Sequence, residues 1–214
     1  MDNPVIVGIL SGLIPIFAAF AIRGEYQTTR RQVYIFKPLT TVLIILLAIS
    51  GNGNVQPAYQ TLIIVGLIFC LGGDVFLMLP ERFFLPGLVS FLTGHIFYIV
   101  AFVVSVGFLF SWWLAPLAVY GVIIYAVLHP HLGKMRLPVI AYVITILLMA
   151  WQALARWELL ASTPALLAAL GAVLFVISDS VLALDRFRAR FRSARVIVLT
   201  TYWLAQWFIA YSLH

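Results

Sequence analysis

The sequence predicts an all-α integral membrane protein with eight transmembrane helices. Three observations lead there. Of 214 residues, 64% are hydrophobic and only 9% charged, against about 25% charged in soluble domains. The mean hydropathy is +1.11. The apolar residues fall into runs near the ~20 residues that cross a bilayer, and the charges fall between the runs. In lipid the backbone has no water to bind, so the runs are helices. This composition excludes a soluble globular enzyme and a disordered chain. It also excludes a nucleic-acid-binding domain, although the net charge is +6 and the pI is about 9.8. The 13 Lys and Arg gather mostly in short segments between apolar runs rather than in a stripe. With one cysteine, no intrachain disulfide forms and no oxidising compartment is implied.

Each element follows in order. Span one, 4–22, has no basic region before it and no small-residue cleavage pattern after it, so it is not a cleaved signal peptide. The basic segment 23–32 ends it. Span two, 33–50, carries Lys37-Pro38 within its first turn or so, where proline is tolerated. The Gly/Asn segment 51–57 follows. Span three, 58–79, ends in Gly73-Asp74, and the segment 80–86, bounded by Pro80 and Pro86, turns the chain. The apolar stretch 87–128 is too long for one helix. Trp112 and Trp113 mark an interface within it, which splits it at Ser111 into spans four, 87–110, and five, 112–128. The segment 129–136 contains Pro130 and Gly133 and precedes span six, 137–155. Polar residues at 156–163 lead to span seven, 164–184. The arginine-rich segment 185–195 leads to span eight, 196–212. Nothing is left over for a soluble domain, so 1–214 reads as a single polytopic membrane domain.

Charge sets the orientation. The segments after spans one, three, five and seven hold eleven of the thirteen Lys and Arg. The opposite side holds Arg156 alone, and Lys37 lies inside span two. Positive residues stay in the cytoplasm, so both termini are expected outside it, in a bacterial inner membrane. The segment 185–195 interleaves arginine with Phe187 and Phe191. It reads first as an anchor on anionic lipid, and more sharply as a headgroup-phosphate site. Trp151, Trp157 and Trp207 read as an interfacial belt on the outer side.

The halves echo each other. Gly73-Asp74-x-x-Leu77 ends span three and Ser178-Asp179-x-x-Leu182 ends span seven, with the aspartates 105 residues apart. Pro38 and Pro138 open spans two and six, 100 residues apart. Spans four and eight carry polar aromatic groups early, His95-x-x-Tyr98 and Tyr202-x-x-x-Gln206. Four helices separate equivalent spans, so the copies share one orientation. The prediction is a parallel 4+4 internal repeat about an axis along the membrane normal.

Ionisable residues inside spans are rare and functional by default. Lys37, Asp74, His95, Asp179 and Tyr202 each lie four to eight residues from the cytoplasmic end of their span. At 1.5 Å per residue that is one layer roughly 6–12 Å deep. One cavity open to the inner leaflet is the economical explanation. Each group also has a plainer reading. Lys37 near a helix end snorkels to the surface. A single aspartate is a structural hydrogen-bonder, and His95, Tyr98, Tyr202 and Gln206 bond between helices. Gly72 and Gly73 mean close packing, and Cys70 is a small apolar residue. His129 and His131 flank a loop proline without a partner ligand. Only His95 stands at the right depth for zinc, so no metal and no cofactor are expected. No Gly-x-Ser-x-Gly elbow or His-Glu-x-x-His motif occurs. What remains is two carboxylates, a histidine and a lysine. Two carboxylates sharing a low-dielectric cavity do not both ionise easily, which supplies an acid and a base for adding water without a metal.

With these residues in view, Lys37-Pro38-Leu39-Thr40, Gly73-Asp74-Val75-Phe76-Leu77-Met78, His95-Ile96-Phe97-Tyr98, Ser178-Asp179-Ser180-Val181-Leu182-Ala183 and Tyr202-Trp203-Leu204-Ala205-Gln206 resemble the YhhN family of transmembrane lysoplasmalogenases. Pro138-Val139 and Tyr142 in span six resemble it too. The motifs run in the family's order from span two to span eight. The resemblance implies hydrolysis of the vinyl ether of a lysoplasmalogen to a fatty aldehyde and a glycerophospho-alcohol. It implies Asp74 and Asp179 as catalytic groups, with Lys37, His95, Tyr98, Tyr142, Tyr202 and Gln206 binding or supporting the substrate. The partner is then a lysophospholipid. The alternative is a proton-coupled small-molecule or lipid transporter, since parallel repeats and intramembrane carboxylates occur there as well. Against it, the polar layer is shallow and one-sided.

Overall fold

The computed structural model describes residues 4–27, 30–51 and 55–214. The middles of the first two predicted connections, 28–29 and 52–54, and residues 1–3 before span one lie outside the described residues. Among the described residues eight α-helices follow one another: α1 Pro4–Tyr26, α2 Arg30–Ser50, α3 Pro57–Met78, α4 Phe84–Val106, α5 Leu114–Leu128, α6 Arg136–Leu160, α7 Thr163–Ala183 and α8 Ala194–Tyr211. Short 3₁₀ turns precede α4 and α6, and a wider turn, Leu184–Arg188, follows α7. No strand occurs among the described residues. Seven of the helices are long and apolar enough to cross a membrane, and α8 is not among them. Its eighteen residues include Arg195, Thr200, Thr201 and Gln206, which lower its hydropathy.

Several helix ends depart from expectation: α1 runs on to Tyr26, α2 begins at Arg30 and α4 at Phe84, and two further ends rest on contacts distant in the chain. The expected break at Ser111 begins earlier. Gly107, at φ 84°, closes α4, a backbone conformation open to glycine. Residues 107–113 then return to α5, held by the Gln152 amide, which bonds both N–H and C=O of Leu109 (3.1 and 3.0 Å). The Trp151 indole donates to the Ser111 carbonyl (3.2 Å) and meets Phe108 and Phe110 edge-on. Trp151 is therefore buried and acts as a packing element, not as part of an exposed belt. The expected polar break at 156–163 also starts late, because α6 continues to Leu160. Arg156 is buried there, bonded to Ser105 Oγ (2.7 Å) and lying over the Tyr59 ring at 4.6 Å. A helix absorbs an arginine in this way when a hydroxyl and a π-face replace water.

The core is built by α2, α3, α4, α6, α7 and α8, whose buried side chains form one cluster. α1 and α5 flank it and bury few residues. Each helix packs on the next, except that α4 crosses to α6 and α8 returns to α2. Small residues permit the closest crossings. A Cβ placed on Gly66 would stand 2.4 Å from the Tyr98 ring of α4, and one on Gly171 2.7 Å from the Ala205 carbonyl of α8. The outer faces carry exposed Ile, Val, Leu and Phe throughout, as expected of a surface solvated by lipid rather than water.

Candidate active site

Asp74 stands near the end of α3, one turn before Met78, and is 1% exposed. Its Oδ2 accepts hydrogen bonds from Thr41 Oγ1 and Tyr202 OH, each 2.7 Å. Its Oδ1 faces Lys37 Nζ at 3.4 Å. Three helices therefore converge on one carboxylate. A buried carboxylate needs such partners, because an isolated one loses its hydration without replacement. Lys37 is itself buried, so it does not snorkel. Pro38 follows it well inside α2, which begins at Arg30, and Thr41 is one helical turn on from Lys37, on the same face.

Asp179 sits at the matching place in α7 and is only partly buried. It accepts one hydrogen bond, from Tyr142 OH of α6 (2.5 Å). The neighbouring Ser178 turns the other way and donates to the Val198 carbonyl (3.1 Å), which ties α7 to α8.

Both aspartates line one cavity of about 540 Å³, together with Lys37, Tyr202 and Phe91, a size typical of small-molecule sites. Its mouth is the α7–α8 connection, where Asp185, Arg186, Arg190 and Arg192 line it. Two ion pairs frame that mouth. Arg186 meets Glu81 at 2.5 Å and lies over the Phe84 ring at 4.7 Å. Arg195 pairs with Glu25 of α1. An apolar crevice of about 60 Å³ adjoins the cavity between α4, α5, α6 and α7, lined by Leu88, Leu128, Val139 and Ile146 among others. Asp179, Leu77, Phe84, Phe91 and Leu182 belong to both spaces. Asp179 thus stands at the seam between a polar chamber and an apolar crevice.

The expected site residues separate into two groups. Lys37, Asp74, Asp179 and Tyr202 meet at the cavity, and Tyr142 reaches it through Asp179 and lines the crevice. His95, Tyr98 and Gln206 line neither space. They lie in the core, fully buried. The His95 ring packs edge-on against Phe175 and Tyr142, at 4.9 and 5.4 Å between centroids, and neither nitrogen has a hydrogen-bond partner. Tyr98 OH meets the Cys70 thiol at 3.8 Å. These groups support the walls instead of facing the chamber. Thr41 is the contact that sequence reasoning missed. Its position four residues after Lys37 was the available signal. Among the described residues no group of three or more His, Cys, Asp or Glu side chains could hold a metal ion.

The comparisons with known proteins agree on one lineage. The model of the YhhN family matches residues 32–213, which includes every residue of the cavity named here except those of α1. The chain is 30% identical over 198 residues to the Escherichia coli O6:H1 protein named "Uncharacterized membrane protein YhhN", covering 92% of this chain and 94% of that one. It is 34% identical over 180 residues to Bos taurus "Lysoplasmalogenase TMEM86A", covering 82% of this chain and 74% of that one. It is also 34% identical over 174 residues to Mus musculus "Lysoplasmalogenase TMEM86B", covering 79% and 69%. No solved structure matches the chain.

Proposed function

The chain belongs to the YhhN family, and on that premise we propose that it is a membrane hydrolase that cleaves the vinyl ether of lysoplasmalogens. The observation that carries this reading is the pair of aspartates on one cavity, one of them at the seam with an apolar crevice. The names of the bovine and murine relatives support the substrate class.

The chemistry divides between two carboxyl groups. Asp74 is ion-paired with Lys37 and accepts two hydroxyl hydrogen bonds, the setting of an anion held in place. Asp179 has a single phenol partner and borders the crevice. The lipid lies with the start of its tail in the crevice and its glycerol in the chamber. Asp179, as the acid, protonates the β-carbon of the vinyl ether and leaves an oxocarbenium ion. The Asp74 carboxylate stabilises that cation and takes a proton from the water that adds to it. The hemiacetal collapses to a fatty aldehyde and a free glycerol hydroxyl as Asp74 gives its proton to the glycerol oxygen and Asp179 takes the hemiacetal proton, which restores both groups. One water is consumed and no metal is required.

The fold reads as two copies of four helices. The neighbour scheme supports this: α1, α2, α3 and α4 pack in sequence and α4 joins α6, while α5, α6, α7 and α8 pack in sequence and α8 joins α2. The flanking helices α1 and α5 are equivalent in this scheme. Each copy then contributes one aspartate, and the cavity lies where the copies meet.

The test is purified protein in detergent with a lysoplasmalogen, read as free aldehyde. Release without any ion gradient supports hydrolysis, and no release refutes it in favour of transport. Asp74→Asn and Asp179→Asn are each expected to lower turnover about 10²- to 10⁴-fold. The double variant is expected to be little worse than the worse single, because the two groups act as a unit.

A further inference from the structure

Five cations line the large cavity: Lys37, Arg186, Arg190, Arg192 and Arg195. Three are already matched by a carboxylate, Lys37 by Asp74, Arg186 by Glu81 and Arg195 by Glu25. Among the described residues Arg190 and Arg192 make no ion pair. The backbone that carries them is pinned at two points. Phe191 N–H donates to Asp185 Oδ1 (3.0 Å), and Tyr26 OH of α1 donates to the Arg192 carbonyl (3.0 Å). Asp179 and Asp185 also line the cavity without an ion pair among the described residues, but Asp179 is the acid of the proposed reaction and Asp185 is taken up by the Phe191 N–H, so two unpaired guanidinium groups on an anchored segment call for a ligand anion. Arginine suits phosphate, because its planar fork matches two oxygens at once.

Distance selects which phosphate. Asp179 lies four residues before the end of α7 at Ala183, or about 6 Å along the helix. In a 1-alkenyl glycerophospholipid, seven bonds separate the β-carbon that Asp179 protonates from phosphorus. Fully extended, seven bonds span about 8 Å, slightly more than the reach of two residues of backbone. A lipid whose vinyl ether meets Asp179 therefore carries its phosphate to the level where the α7–α8 connection begins.

We infer that Arg190 and Arg192 form the phosphate site for the headgroup of a single-chain glycerophospholipid. This rests on the hydrolase reading for its register but not for its test. The ligand for the test is a non-cleavable 1-O-alkyl-glycero-3-phosphoethanolamine, bound to the full-length protein in non-ionic detergent. A 1-O-alkylglycerol, which lacks phosphate, and glycerol 3-phosphate, which lacks the tail, are the controls. Arg190→Gln and Arg192→Gln are each expected to weaken the phospholipid about tenfold or more, the scale of one charge-assisted hydrogen bond. Binding of the alkylglycerol is expected to stay unchanged. Glycerol 3-phosphate is expected to compete in the wild type and to lose that competition in the double variant. Both residues are exposed, so the variants are expected to fold as the wild type. Equal weakening of phospholipid and alkylglycerol, or no weakening of either, overturns the site. Competition by glycerol 3-phosphate that survives in the double variant overturns it too. Arginine-dependent binding in a protein that releases no aldehyde from a vinyl ether refutes the hydrolase and leaves the site. Hydrolysis with a KM indifferent to both arginines does the reverse.

Discussion

Removing the hydroxyl of Tyr142 separates the two aspartates by their surroundings. Asp179 accepts one hydrogen bond among the described residues, from Tyr142. Asp74 accepts two, from Thr41 and Tyr202, and faces Lys37 as well. Tyr142→Phe keeps the ring and its contact with His95, so packing is conserved and only the donor is lost. Asp179 is then left at the seam of two spaces with nothing to fix its carboxyl group. A hydrogen bond to an uncharged acid contributes about 0.5–1.5 kcal/mol. At about 1.4 kcal/mol per factor of ten, turnover is expected to fall roughly 2- to 10-fold. Tyr202→Phe removes one of three partners from Asp74, which Thr41 and Lys37 still hold, and is expected to cost no more than Tyr142→Phe. The assay is aldehyde release in detergent, with thermal melting alongside to verify that both variants fold. If Tyr142→Phe stays within about twofold of the wild type while Tyr202→Phe falls further, a single anchor does not govern Asp179 and the assignment of roles is refuted.

Lys37→Met is expected to lose activity and to melt lower, because it leaves Asp74 buried without a counter-ion, which costs about 3 kcal/mol or more. Adding Asp74→Asn is expected to restore the melting temperature but not the activity, and failure of that rescue would show that Lys37 is not paired with Asp74. Gly171→Ala places a methyl 2.7 Å from the Ala205 carbonyl, where α8 backbone is unable to yield without moving. It is expected to destabilise by about 1–3 kcal/mol, read as a lower melting temperature, whereas an unchanged melt would mean that α7 and α8 are not packed this closely. Alkaline phosphatase fused after His214 is expected to be active and green fluorescent protein fused there dark, because the charge bias predicts a C-terminus outside the cytoplasm. The opposite pattern reverses the orientation.

The linear sequence contained most of the helices and the carboxylates because both depend on local composition. Runs of apolar residues are forced to be helical in lipid wherever they occur, and Asp74 and Asp179 stand out because charge within such runs is expensive. The ends of α4 and α6 were less legible. They depend on Gly107 adopting a positive φ and on Arg156 finding Ser105 and the Tyr59 ring, contacts between segments distant in the chain. The polar layer was visible as depth along each helix, but depth does not specify which way a helix is turned. That rotation comes from side-chain packing between helices. It points Lys37, Thr41, Asp74 and Tyr202 at one another, and it buries His95, Tyr98 and Gln206 in the wall. Which arginines are ion-paired was undetermined for the same reason, since Glu25 and Glu81 reach Arg195 and Arg186 across 170 and 105 residues of chain. Composition alone settles that this chain lives among helices in a bilayer. Only the packing of those helices decides which of its polar groups face the cavity, because a side chain's direction is a property of two surfaces in contact.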